Sequence, residues 1–323
     1  MGFCPITANL GAMERIEQFR QYYNHTIHPE LMRMERKRLR LIRLLAASAV
    51  LILGLLLFEL YIDLAALTLF LLIPIALYIA YLLYRIQQFR LTFKPNVMRL
   101  ILDFIDDGVN FDPSHPLRYD AKGSIDKQRF LASQIFKTQP AVYKGEDLIW
   151  GKVREMLFEM CELTVEEVSP VGTGLQTVFD GVFLHATFPE DAVGRIIIWP
   201  RRYRKRLFGA IKEFTWQEAE NKDDEIMNEA FRDAFMTYAT KSTHVIGLIS
   251  ETMQNALVQY RQQSGKEIFI SFIDREIYAA VTEEKDLLEP HIFRSNLSFE
   301  LVKEFFEDIN LLLQIAEDFD KTH

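Results

Sequence analysis

The sequence predicts an α+β fold in which an N-terminal two-helix transmembrane hairpin precedes a soluble domain with an antiparallel sheet and flanking helices. Three observations carry this expectation. Residues 44–84 hold two apolar runs of near-spanning length, and beyond Pro140 the strand-like segments are segregated from the helical ones. Charge is segregated as well, because residues 1–95 carry 11 Lys and Arg against 6 Asp and Glu, and the rest carries 26 against 39.

From Leu44 to Phe58 the run LLAASAVLILGLLLF is uncharged and reaches spanning length by continuing to about Ile62; from Leu64 to Tyr84 a second run carries no charge. One helix over 44–84 would be about 60 Å long, twice the hydrocarbon thickness, so two passes are expected. The turn is placed near Glu59 to Asp63, where charge interrupts the apolar stretch. Arg33, Arg36, Lys37, Arg38, Arg40 and Arg43 precede the first span, and Arg85, Arg90 and Lys94 follow the second, while the connection has acids only. By the positive-inside rule both termini face the cytoplasm. Neither span holds an internal ionisable residue, which argues against a transporter unless several copies build a pore. Ala47, Gly54, Ala76 and Ala80 offer small faces that packing within the hairpin or oligomerisation could use.

Leu10, Met13, Ile16, Phe19 and Tyr23 recur at helical spacing and predict an amphipathic helix over 10–27, with Pro29 opening a second helix into the membrane. The second span is expected to continue as a stalk, kinked or broken near Pro95, to about Asp106. Residues 107–122 read as a loop, and Ser124 as the N-cap of a helix carrying Ile125, Phe130, Leu131 and Ile135. Strand texture follows in VYKGEDLIWGKV, REMLFEMCELTVEEV, TVFDGVFLHATF and GRIIIWP, which together suggest a meander. Residues 223–232 read as helical and 235–240 as a strand; Ser242 or Thr243 is placed as the cap of a helix to Gln263. EIFISFI and EIYAAVT form a hairpin across Asp274-Arg275, and Ser298 opens the final helix. The expected organisation is thus 1–43 amphipathic and basic helices, 44–84 hairpin, 85–140 stalk and connection, and 141–323 α+β domain.

The acidic body argues against nucleic acid as a partner, since phosphate binding needs a basic footprint. Cys4 and Cys161 lack any disulfide or zinc spacing, and the start resembles neither a myristoylation signal nor a cleaved leader. No GxSxG, HExxH or Walker pattern is present, and Gly172-Thr173-Gly174 reads as a turn. No cofactor, metal or catalytic residue is therefore expected. The weak catalytic candidates are His185, opposite Glu159 or Glu162, together with Glu162 itself and Asp180; a satisfied structural histidine is the competing reading. Tyr143 to Asp147 reads as a tight turn, with Glu146 and Asp147 as metal or amine ligands in the alternative. Asp180-Gly181 reads as a bulge or a close backbone approach. The cations of the run Arg201, Arg202, Arg204, Lys205 and Arg206 suit anionic lipid head groups or an acidic partner, or else a solvated loop.

The stretches YKGEDLIWG, FEMCELTVEEV, TVFDGVFLHATFP and GRIIIWP, followed by a Phe-rich helix and SFIDREIYAAV, resemble a bacterial family known as domain of unknown function 3137, whose layout includes the hairpin. The resemblance implies a protein of the bacterial inner membrane and supplies no activity, cofactor or site residue. The functional expectation is a membrane-anchored, non-catalytic scaffold or adaptor whose partners are the bilayer and either further copies of itself or another membrane protein. A membrane-tethered enzyme with a site built from distant residues, and a subunit of an oligomeric channel, are the alternatives.

Overall fold

The structure, a computed structural model, describes residues 15–62, 65–106, 117–153, 156–169, 172–187, 194–241, 243, 245, 249–283 and 290–322. Leu10, Met13, Asp63, positions 107–116 and Ser242 lie outside them. The chain divides into two compact units, one taking Ile105–Asp286 with Glu304–His323 and the other Ala12–Phe104 with Leu287–Lys303.

In the second of these, a helical run begins at Arg15, passes through a π-helical turn at Tyr23–Ile27 and continues as α1 (His28–Ile62). The two separate helices expected around Pro29 are therefore one run. Its register change is absorbed by the wider π turn, whose residue Tyr23 packs edge-on against Phe299. After Ile62 comes α2 (Ala65–Asp106), which is assigned as helix straight through Pro74 and Pro95. Of the kink or break expected near Pro95, the break is absent; Phe93, Val97, Met98 and Ile101 are buried there, and that packing offsets the lost backbone hydrogen bond. Both helices are long and apolar enough to cross a membrane. Arg38, grouped by sequence with the flanking cations, is buried and forms a two-pronged ion pair with Glu35, while it also donates to the Ile292 carbonyl. Arg36, Lys37, Arg40, Arg43, Arg85 and Arg90 are exposed. The Thr68 hydroxyl donates to Glu59 across the connection, so the acid at the end of α1 is satisfied by the second helix.

The other unit is α+β, built on a nine-stranded sheet of order β1-β2-β3-β4-β9-β8-β5-β7-β6 in which every pairing is antiparallel. Its strands are β1 (Arg118–Asp120), β2 (Val142–Val153), β3 (Met156–Val168), β4 (Leu175–Thr187), β5 (Arg195–Pro200), β6 (Ala219–Asn221), β7 (Phe235–Thr240), β8 (Ile268–Ile273) and β9 (Glu276–Thr282). Of the four segments expected to form a meander, only β2 to β4 pair in chain order, and β1 adds to them at the edge. β5 leaves it to pair with β7 and β8, because the β8–β9 hairpin is inserted beside β4.

The helices of this unit are α3 (Lys127–Ala132), α4 (Phe208–Trp216), α5 (Glu229–Ala234) and α6 (Glu251–Ser264), and it takes most of α7 (Phe299–Thr322). One apolar cluster joins Phe130 of α3 and Ala210, Ile211 and Phe214 of α4 to Leu163, Phe183, Trp199 and Phe269 of the sheet. The Trp199 indole donates to the Ile135 carbonyl at 2.9 Å, so the largest core side chain buries its area without orphaning its N–H. A second buried set outside that cluster includes Met253 and Leu257 of α6 and Phe305, Ile309 and Leu312 of α7. β8 is buried along its whole length, as is β9 apart from its end residues, which explains their continuous apolar runs.

Local chemistry corrects the sequence reading in several places. Residues 118–120 are a strand rather than loop, held by pairing with β2. The cap of α3 is Asp126, whose carboxylate accepts from the Gln128 amide at 2.7 Å, and not Ser124. Residues 223–232 are not one helix: Asp223–Glu225 is a 3-10 turn, and α5, capped by Asn228, begins only at Glu229. α6 starts at Glu251 under Ser250 rather than at 243, and it stops at Gly265, which takes the left-handed cap conformation. Tyr143 to Asp147 lies in the first half of β2 and is no tight turn. Tyr143 to Glu146 themselves pair with β3, which keeps the segment extended, and the surplus residue is taken up by a bulge between Glu146 and Ile149, with Asp147 at φ 61°.

Candidate functional site

Three neighbouring strands bring the sequence-predicted histidine to two carboxylates. β3 sets Glu159 opposite His185 of β4, and β9 sets Glu276 opposite Thr187. His185 is 6% exposed and lies parallel to the Tyr278 ring, centroids 5.1 Å apart. Its Nδ1 is 3.0 Å from Glu159 Oε1 and its Nε2 contacts Glu276 Oε2; Thr187 donates to that same oxygen at 3.0 Å, and Arg129 pairs with Glu159.

Burial works against charge on His185, but the hydrogen bonds to Glu159 and Glu276 outweigh it and raise its pKa. Burial likewise opposes ionisation of Glu159 and Glu276, yet His185, with Arg129, draws both below the ordinary carboxylate value. The arrangement favours an imidazolium that donates through both nitrogens, which leaves no lone pair for general-base work. It ties three strands together.

The signs give a two-sided pH dependence. The raised His185 value makes its contribution complete below 6.5 and lost as pH climbs through the folded value; the lowered carboxylates contribute fully above 4.5 and lose it in acid. The gap in urea midpoint between wild type and His185→Gln is therefore expected to be widest between 4.5 and 6.5 and to narrow on either side. A gap that fails to narrow above that range as well as below it would show that the ring is uncharged.

Glu162 and Asp180 do not join this group. Glu162 pairs in register with Val182 and Asp180 with Thr164, whose hydroxyl donates to the Asp180 carboxylate at 3.0 Å. Strand alternation puts Glu162, three residues from Glu159, on the opposite face of the sheet. It lies instead beside Glu146 and Asp147 at the β2 bulge, where the three residues offer ligand atoms within 4.8 Å of one another. The Tyr119 hydroxyl donates to Asp147, and burial together with that carboxylate pushes the Tyr119 pKa up. Gly181 is the expected close approach, since a Cβ there would lie 2.1 Å from the Val281 carbonyl oxygen.

Sequence reasoning missed a second polar centre. Lys266, just before β8, is buried with its Nζ 2.8 Å from Asp308 and 3.2 Å from Glu304, both on α7, and also against Glu283. The Tyr260 hydroxyl of α6 donates to the other Asp308 oxygen. Burial lifts Asp308 to about 6 in spite of Lys266. Next in the chain, Glu267 accepts from Arg202 at 2.8 Å and from Arg261 at 3.1 Å. No spacing rule could have flagged these groups, because the partners come from separate elements.

Three cations of the basic run have partners within the domain. Arg201 donates to the Arg232 and Phe235 carbonyls and pairs with Asp223 at 2.6 Å, Arg202 pairs with Glu267, and Arg206 donates to the Thr177 and Val178 carbonyls. Arg204 and Lys205 remain exposed. An open groove of about 770 Å³ lies between α4 and the segment after α3, lined by Leu131, Gln134, Phe136, Thr138, Val168 and Phe214 among others and crossed by the Lys137–Glu213 pair at 3.0 Å. His185, Glu162 and Asp180 are not among its lining residues.

No curated protein matches the chain. Among solved structures, the mycobacterial trehalose monomycolate transport factor A, TtfA, superposes with a TM-score of 0.29 at 7% identity, over 60% of this chain and 88% of that one. The family model DUF3137, described as a protein of unknown function, matches residues 177–321. The match begins after two of the stretches on which the sequence resemblance was read, YKGEDLIWG and FEMCELTVEEV. Over residues 177–321, from within β4 to nearly the end of α7, the chain matches this domain of unknown function.

Proposed function

We propose that the protein is a membrane-anchored, non-catalytic scaffold or adaptor, which presents its α+β domain at the cytoplasmic face of a bacterial inner membrane and self-associates there. The observation that carries this reading is the exposure of the two long helices. Leu51, Leu53, Leu57, Leu69, Phe70 and Leu77 all point outward, which is costly in water and favourable in hydrocarbon. At 35 and 42 residues, α1 and α2 are about 52 and 63 Å long, which exceeds the lipid core and leaves helix to project beyond it. The exposed Arg36, Lys37, Arg40, Arg43, Arg85 and Arg90 support an orientation with both ends inside. Gly54 has no atom within 4 Å of where a Cβ would stand, so its side of α1 is open to another helix. The His185 trio supports a structural rather than catalytic reading.

The test combines topology with stoichiometry. A reporter fused after His323 should be active only in its cytoplasmic form, alkaline carbonate should leave the protein in the membrane pellet, and native mass spectrometry in mild detergent should find more than one copy per particle. Release by carbonate or a periplasmic reporter would end the anchoring proposal, and a strict monomer would remove self-association.

A further inference from the structure

Helix α4 carries an exposed aromatic and cationic face that the core does not use. Ala210, Ile211 and Phe214 point into the apolar cluster, whereas Phe208 is 66% exposed and Trp216 71% exposed. Spaced by eight residues, these rings stand about 12 Å apart along the helix with Lys212 midway between them, and the Lys212 ammonium sits 5.0 Å from the Trp216 ring centroid. Arg204 and Lys205 stand exposed on the turn that leads into the helix, with no partner among the described residues. Glu213 is the one acid on α4, and it is engaged by Lys137. The face is thus net cationic, with a Phe and a Trp left in water.

This combination has a specific physical preference. Trp and Phe gain most at the head-group boundary, where a ring is desolvated while an indole N–H still finds an acceptor, and Lys and Arg gain there from anionic lipid. We infer that α4 and the preceding turn form a peripheral contact with an anionic leaflet, in which Phe208 and Trp216 enter the interface and Arg204, Lys205 and Lys212 bind head groups. The inference rests on the membrane-anchored reading and refines the role of the basic run, because Arg201, Arg202 and Arg206 already hold partners within the domain, Asp223, Glu267 and backbone carbonyls, which leaves Arg204 and Lys205 of the run to the lipid. Charge alone would suit either an anionic leaflet or the acidic body of a second copy; the two exposed rings, Phe208 and Trp216, favour the leaflet, where they can leave water while the cations keep anionic partners.

Fluorescence provides the test, since the three tryptophans, 150, 199 and 216, all lie outside the two long helices and Trp199 is fully buried. The full chain is reconstituted in phosphatidylcholine vesicles, with or without phosphatidylglycerol, whose acyl chains are brominated near the head group. Brominated anionic vesicles should quench roughly one third of the emission, the share of one tryptophan in three. That quenching should vanish in Trp216→Phe, and it should fall at least severalfold in the Arg204→Gln, Lys205→Gln, Lys212→Gln triple variant and in zwitterionic vesicles. Quenching that is equal in wild type and Trp216→Phe overturns the contact, as does equal quenching with and without anionic lipid. Emission that shifts with protein concentration in detergent without bromolipid quenching assigns the face to a second copy and also overturns it. Flotation keeps the two readings apart: a chain that floats with vesicles but shows no Trp216 quenching defeats this contact alone, whereas one that fails to float at low salt defeats the anchor as well.

Discussion

Replacing Lys266 by Met is expected to cost about 3–5 kcal/mol of stability at neutral pH, the usual consequence of removing one partner from a buried ionic cluster. The ammonium sits among Asp308, Glu283 and Glu304, and Asp308 is 1% exposed, so water cannot replace the lost cation. The methylene chain of Met keeps most of the volume, and the loss is therefore electrostatic rather than a cavity effect. The pH dependence gives an independent check. Burial already holds Asp308 at about 6, above its ordinary 3.8, so its folded form binds a proton more readily than its unfolded form; stability from this group rises as pH falls from about 6 towards 3.8. Without Lys266 the carboxyl is pushed higher still, and the deficit should shrink on acidification. Adding Asp308→Asn should recover part of the loss. Urea unfolding of the full chain, followed by tryptophan emission, reads all three, and a Lys266→Met penalty under about 1 kcal/mol would place the cluster with ordinary surface pairs.

Gly181→Ala should be nearly as damaging, at about 2–5 kcal/mol, for a reason unrelated to charge. The residue has φ +147°, a region that L side chains rarely adopt, and the added methyl would lie 2.1 Å from the Val281 carbonyl oxygen and 2.7 Å from the Glu283 amide. Both obstacles are backbone of the neighbouring segment, so no side-chain rotation relieves them. Gly265→Ala separates strain from crowding. It too has positive φ, +72°, but nothing lies within 4 Å of its Cβ position, and the expected cost is only about 1–2 kcal/mol. Equal losses at the two glycines would show that dihedral strain alone sets the penalty and that the approach of β9 to β4 has room to relax.

The elements that were legible in the chain are those whose signal is local. The β8–β9 hairpin declared itself through two β-rich runs around Asp274-Arg275, and the structure puts Asp274 at φ 56° in that turn. Alternation over TVFDGVFLHATF put His185 on the same side as Phe183, and Phe183 is indeed in the apolar cluster. What was not legible depends on pairing between distant segments. The YKGED segment looks like a turn because Gly and charge cluster there, yet pairing with β3 holds it extended through a bulge. Ser124 looks like a cap, but Asp126 two residues later makes the hydrogen bond. Helix continuity at Pro95 went against the local rule, because buried neighbours offset the missing donor. Of the candidate site, the histidine could be named from the sequence together with Glu159. Glu276, 91 residues away, could not, since nothing local announces that β9 lies next to β4.

By itself, then, the sequence determined the two long apolar helices with their basic flanks, the α+β class, most strand positions and the acid-rich character of the body. These depend on composition and periodicity, which act over a few residues and survive any arrangement of the whole. Only the tertiary structure decided which charges meet: His185 held between two glutamates, Lys266 enclosed by three carboxylates, and a basic run in which Arg201, Arg202 and Arg206 find partners on distant segments while Arg204 and Lys205 stay exposed. The physical reason is that an ion pair or hydrogen bond acts over a few ångströms, and elements far apart along the chain are brought within that distance only when the sheet assembles.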